Sequence, residues 1–359
     1  MDDLLAPPLE KEPRPSTTPQ NPTPTLQPPF KRVELKTRDG AIMTLIGFLS
    51  RGGEGDIFVA ERNGHKFLAK EFLPYTNVVD PSTISEHIRF RITGSKNNQY
   101  ARAVQRFILS SRLMAELSDR GFTARVIDLI ETDKRYFLLL KPYLGTEIEN
   151  ATYGDSLSLN NLIPTLSVKE RFSIIRQMVN LVVELHKMGI YHCDIKPANL
   201  IYYDGHLMFI DLTSCIDQRK NVAADTRIPD PIYTSLTVRY SSPERARSMS
   251  SHATKFVEDY DIYASEIFSL GITALEVITG QNILEDESTS YVLNLLANFD
   301  LDDPNLGFDR VIDNLQGYTT NQKSLIREAF RLILVNSPTL RKENFPDRFL
   351  AKLEGAFTD

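Results

Sequence analysis

Residues 192–211 read HCDIKPANLIYYDGHLMFID and gather the side chains best suited to chemistry. Lys196 stands two positions after Asp194, Pro197 three and Asn199 five, and Asp211 follows Asn199 by 12 residues, with Asp204-Gly205 as a hairpin turn between them. Carboxylate and amide oxygens are hard donors of the kind Mg2+ takes beside phosphate oxygens. A single Asp, Lys or Asn in a loop is ordinarily a turn or surface residue, so it is the fixed spacing that makes this set a candidate site.

A second group lies upstream. The stretch LSRGGEGDIFVA, residues 49–60, places Gly52, Gly53 and Gly55 between two β-prone runs. Backbone N–H groups lacking a nearby Cβ can approach a phosphate closely, although a plain hairpin turn fits the same glycines equally well. Lys70 follows in FLAKEF on the next strand of the same sheet, a placement suited to the α- and β-phosphates of a nucleotide.

The elements that must carry these groups can be read from turns and periodicity. From Val33 onward, β-prone runs are broken at Asp39-Gly40, Gly52-Gly53 and Asn63-Gly64, and two more strands, RVIDLIE and RYFLLLKPYL, meet at Asp133-Lys134. Between them, 74–98 is polar and irregular and reads as an insertion. A helix is predicted over 99–119 from Ala103, Phe107, Leu113, Met114 and Leu117, ending before Gly121. Five strands and one helix are thus expected in a small antiparallel β lobe, residues 31–144. From 145 to 359 the pattern is mainly helical. A helix over 168–188 buries Phe172, Ile175, Met178, Leu181, Val182 and Leu185 and delivers the chain into the 192–211 stretch. Further helices are predicted over 261–279, 286–298, 308–315, 321–335 and 346–356. Residues 1–30 hold nine of the chain's 20 prolines and no glycine, the composition of a disordered tail that either is simply solvated or docks on a proline-reading partner.

Composition narrows the classes. A chain of 359 residues with 42% hydrophobic content can build substantial cores. A net charge of −6 and a pI near 5.7 argue against a nucleic-acid surface. Cys193 and Cys215, the only cysteines, form no metal-ligand spacing or disulfide framework. The apolar runs are too short or interrupted for a membrane span, as with 267–280 and its Glu276. A cytoplasmic location is expected, or a host cytosol should the chain be a delivered effector.

The order of a glycine-rich turn, a strand lysine, a helix, H-x-D-x-K-x-x-N, an aspartate beyond a hairpin, S-P-E and a late arginine resembles the protein kinase family from about Val33 to the C terminus. The GGEG loop is similar to that of a bacterial subset of eukaryotic-like serine/threonine kinases. The resemblance implies a bilobal α+β fold and transfer of the γ-phosphoryl of Mg2+-bound ATP to a protein hydroxyl. It makes Asp194 the catalytic-loop aspartate that accepts the substrate proton, Lys196 the γ-phosphate contact, and Asn199 and Asp211 the Mg2+ ligands. His192 becomes a packing residue. For ATP it implies Gly52, Gly53, Gly55, Ile57 and Lys70 along the glycine-rich turn and its strands. Ala69 and Ile201 would lie about the base, with Leu140 behind it. Lys141 and Tyr143 fall at the hinge, and Glu147 near the ribose. Thr237 and a Glu244–Arg341 pair are expected to be structural.

Several positions depart from the family pattern. Ser50 replaces the first loop glycine, and Glu54 replaces the aromatic residue at the loop's tip. Ser110 stands where a helix glutamate should pair with Lys70, and Glu116 is six residues on; either another acid such as Glu86 in the insertion meets Lys70, or the helix shifts on activation, or the chain is a pseudokinase. Leu212-Thr213 follows Asp211 in place of Phe-Gly, and Glu266 stands where Asp is usual. Cys193 replaces an arginine that in many kinases holds a phosphate, so phosphorylation of Thr234 or Ser235 is not expected to be an obligatory switch. A non-catalytic pseudokinase acting as a binding module and, less favoured because of S-P-E and Arg341, a small-molecule kinase are the alternatives.

Overall fold

Left-handed backbone at Gly40 (φ 84°) and at Asn63 and Gly64 (φ 54° and 74°) reverses the chain between β-prone runs, as tight hairpin turns require. The first stretch thereby folds into β1 (Val33–Lys36), β2 (Ile42–Arg51), β3 (Asp56–Arg62) and β4 (His65–Phe72). After α1 (Lys96–Ser118) come β5 (Val126–Glu131) and β6 (Tyr136–Leu140), and all six strands join one antiparallel sheet in the order β1-β2-β3-β4-β6-β5. The sheet has six strands against the five expected, because the three turn signals at Gly40, Gly52-Gly53 and Asn63-Gly64 bound four strands and β5 and β6 add two. The helix starts at Lys96, inside the expected 74–98 insertion.

This computed structural model describes residues 31–37, 40–51, 56–72, 96–132, 135–142, 159–219, 238–250, 261–284, 288–304 and 306–357; for 50–51, 96–105 and 249–250 it gives the backbone alone. The tail 1–30, Gly52, Gly53, Glu54, Gly55, Glu86, Tyr143, Glu147, Thr234, Ser235 and Thr237 lie outside the described residues.

Strand alternation divides the sheet into two faces. Met43, Leu45, Phe58, Ala60, Ala69, Ile130, Phe137 and Leu139 close one core. Leu138 and Leu140 lie on the opposite face, in a second core that continues through Phe107, Leu113, Met114 and Leu117 of α1 into the helical lobe.

That lobe is organised on α2 (Val168–Lys187) and α4 (Ile262–Thr279), with α3 (Pro243–Ser250) between them. A capping box between Ser167 and Glu170 starts α2. Helix α4 is buried from Ala264 to Ile278, so although it is long and apolar enough to cross a membrane, here it is a core element. The helices α7 (Thr320–Ile333) and α8 (Pro338–Asn344) pack on it, while α5 (Thr289–Ala297) packs on α3, α6 (Phe308–Asp313) on α7, and α9 (Asp347–Phe357) on α7 and α2. Gly271 lets α4 approach the end of α7. A Cβ there would sit 2.7 Å from Leu334 Cδ2 and 3.1 Å from Ile333 Cδ1. Gly271→Val should therefore overpack this contact and lower unfolding stability by about 1–3 kcal/mol, measured as a lower urea midpoint at unchanged slope.

Candidate active site

The 12-residue interval between Asn199 and Asp211 has a geometric cause. Asp204 and Gly205 take left-handed angles (φ 49° and 78°) and join β8 (Leu200–Tyr203) to β9 (His206–Phe209), with Leu200 opposite Phe209. The hairpin closes with a 3.1 Å bond from the Ile210 N–H to the Asn199 carbonyl, so the residues flanking its open end, Asn199 and Asp211, are brought alongside each other. Upstream, β7 (Ile190–Tyr191) pairs with β10 (Ile216–Asp217), tying the two ends of the whole stretch together.

Within this frame the predicted side chains converge. Lys196 Nζ lies 2.7 Å from Asp194 Oδ2, and Asn199 Nδ2 donates to the Asp194 carbonyl and to Oδ2, each at 2.8 Å. With the Asn199 amide nitrogen committed to Asp194, its carbonyl oxygen is the atom offered to a cation. Together with the Asp211 carboxylate it makes a hard oxygen set that fits Mg2+.

Lys70 reaches Asp211 across the two lobes, Nζ to Oδ2 at 2.8 Å. Lys70 thus has an acidic partner in Asp211. Ser110 is buried, with its hydroxyl donating to the Phe107 carbonyl, while Glu116 pairs with Arg219 at 2.6 Å. Oδ1 of Asp211 accepts from the Thr213 N–H at 3.0 Å and from the Thr213 hydroxyl at 2.8 Å. Burial alone would raise the Asp211 carboxyl, but Lys70 and Thr213 outweigh it and hold the pKa at about 2.

Ile57 pairs directly with Lys70 in the sheet and so shares its face. Ala69 does not. Being adjacent to Lys70 in a strand, it points to the other face and is fully buried with Phe58, Phe137 and Leu139. The structure therefore does not bring Ala69 together with Ile201, which is buried with Ala124 and Met208. Leu68, two residues before Lys70 and paired with Leu140, takes the position expected of Ala69. The Lys141 N–H is bonded to the Arg125 carbonyl at 2.8 Å, which leaves the Lys141 carbonyl as its hinge group.

Beneath the loop, His192 is buried against Phe209 with ring centroids 4.2 Å apart, and its Nδ1 accepts from the Asp194 N–H at 3.2 Å. Burial lowers its pKa, so the ring is a neutral packing group. Cys193 adopts a left-handed backbone, φ 62°. Its N–H donates to Glu266 Oε1 at 2.5 Å, and its carbonyl accepts from Arg245 Nη1 at 2.8 Å. The other oxygen of Glu266 pairs with His186 Nε2. Farther out, Glu244 and Arg341 form the expected pair at 2.5 Å, and the Ser242 and Ser265 hydroxyls meet at 2.8 Å. Leu68 and Arg245 were not singled out by the sequence, and Thr213 only as a departure from the family pattern. A hydroxyl residue two positions after an aspartate is a local turn signal that could have found Thr213, and period-2 alternation would have found Leu68. Arg245 carries no local signal.

Residues 95–330, more than half of the chain, match the family described as protein kinase domain. The chain belongs to the protein kinase family. Among relatives of this kinase domain, serine/threonine-protein kinase PrkC of Bacillus subtilis is 26% identical over 222 residues, 62% of this chain and 30% of the relative. Serine/threonine-protein kinase B of Synechocystis sp. is 23% identical over 254 residues, 70% and 39% of the two chains. Mitogen-activated protein kinase kinase 7 of Arabidopsis thaliana is 30% identical over 149 residues, 39% and 42%. The kinase chain thus spans less than half the length of these three relatives.

Proposed function

We propose that this kinase domain transfers the γ-phosphoryl group of Mg2+-bound ATP to a serine or threonine hydroxyl of a protein substrate. The observation that carries the reading is the junction of two clusters: Asp194 with Lys196 and Asn199 from one loop, and Asp211 held by Lys70 from the β lobe. Among the described residues the donors to the Asp194 side chain both meet Oδ2, so Oδ1 is presented for the incoming hydroxyl and its proton. Lys196 supplies positive charge beside it for the transferred group, and Lys70 for the remaining phosphates. Asn199 and Asp211 would hold Mg2+, which neutralises charge on the phosphate oxygens. Ile57, Leu68 and Leu140 form the strand face next to Lys70 and cover the nucleotide, with Ile201 on the other side. The hydroxyl specificity follows the serine/threonine kinase relatives and Lys196 two residues after Asp194. Two free thiols agree with a cytoplasmic setting.

The test is incubation of the wild-type chain with γ-labelled ATP and Mg2+, alone and with protein substrates. Label is expected on serine or threonine. Nucleotide binding with no transfer would establish the binding-module alternative, and label in a metabolite but in no protein would establish a small-molecule kinase.

A further inference from the structure

Three non-glycine residues among those described have left-handed backbones: Asn63, Cys193 and Asp204. Asn63 and Asp204 occupy two-residue hairpin turns and are types that tolerate this region. Cys193 has neither excuse, and it immediately precedes Asp194. What distinguishes it is that both of its backbone polar groups end on charged side chains, the N–H on Glu266 and the carbonyl on Arg245.

We propose that Arg245 is a positioning residue for Asp194, clamping the Cys193 carbonyl so that the strained peptide keeps the catalytic aspartate aimed at its substrate. A left-handed conformation disfavours a residue with a Cβ by about five- to thirtyfold in population, so an unclamped Cys193 peptide would rotate toward ordinary extended geometry and turn Asp194 with it. Arg245 lies in the first turn of α3, next to Glu244, which is fixed by Arg341. The clamp therefore couples the Ser242-Pro243-Glu244 turn to the catalytic loop, 52 residues apart.

The kinetic arm of the test rests on the proposed phosphoryl transfer; the exchange arm does not. In R245A, amide hydrogen exchange of the 192–199 loop should accelerate by about five- to thirtyfold while the rest of the helical lobe is unchanged. kcat should fall by a similar factor with the KM for ATP unaltered, and R245K, which keeps one donor, should lose less. The deciding comparison is a second substitution in the R245A background. Glycine adopts the left-handed region freely, so C193G should restore loop protection and kcat, whereas C193A, with the same loss of thiol, should not. Wild-type exchange in R245A, or equal recovery with C193A and C193G, would overturn the proposal. A wild-type chain that transfers no phosphate would overturn the functional reading instead, and loop exchange would still decide the role of Arg245.

Discussion

Asp194→Ala is expected to lower kcat by about 10²–10⁴-fold with little change in the KM for ATP. The asymmetry follows from where the carboxylate sits. Its Oδ2 is fixed by Lys196 and Asn199, and in the proposed reaction Oδ1 would take the substrate proton, so its loss would remove the proton acceptor and leave the pair of Lys70 and Asp211 intact. Two donors also lose a bond to Oδ2. Lys196 is no longer tied to residue 194, and Asn199 keeps only its bond to the residue-194 carbonyl and is held less firmly at the cation position, so part of the loss should appear as a higher Mg2+ concentration for half-maximal rate. Asp194→Asn separates these effects: the amide can retain the bond to Lys196 or Asn199 in one orientation but cannot accept the substrate proton. Single-turnover transfer with γ-labelled ATP, alongside equilibrium nucleotide binding, measures both. Turnover within about threefold of wild type in Asp194→Ala would remove Asp194 from the mechanism.

What could be read from sequence and what could not divide along the range of the interactions. The hairpins at Asn63-Gly64 and Asp204-Gly205 were legible because their left-handed angles are demanded locally and these residue types supply them. The second hairpin in turn made Asn199 and Asp211 legible as a unit, since a two-residue turn fixes which residues meet at its open end. Long α4 and α7 were legible from their apolar positions, whereas α3 and α8, 8 and 7 residues long, were too short to declare a period. The bond between Lys70 and Asp211 was out of reach, because it joins residues 141 apart in different lobes. Ser110 left open which carboxylate meets Lys70, since a missing residue in one helix says nothing of a carboxylate arriving from elsewhere. Ala69 is a different kind of miss. The resemblance implied a place for it beside the base, but strand alternation puts Leu68, two residues before Lys70, on the lysine's face.

Glu244→Ala should have the largest effect on stability, about 3–5 kcal/mol, seen as a melting temperature lower by roughly 5–15 °C. Arg341 is completely buried, its guanidinium donating to Glu244 at 2.5 Å and to the Val335 carbonyl at 3.0 Å, with Phe268 beneath it at 5.5 Å. Removing the carboxylate leaves a full positive charge in that setting with, among the described residues, the Val335 carbonyl and the Phe268 ring face to solvate it. Arg341→Met should cost less, because the charge left behind on Glu244 lies nearer solvent, its side chain 11% exposed against 0% for Arg341. The double variant Glu244→Leu/Arg341→Met should recover much of the loss, since replacing a whole buried pair by apolar groups avoids stranding either charge. Urea denaturation of the three variants tests the pair; a loss below about 1 kcal/mol in Glu244→Ala would show that the buried guanidinium has another way to be satisfied. Because Arg245 follows Glu244 in the same turn of α3, the variant should also loosen the bond to the Cys193 carbonyl. Phosphoryl transfer by the folded fraction should then fall as well, an effect that stability alone does not produce.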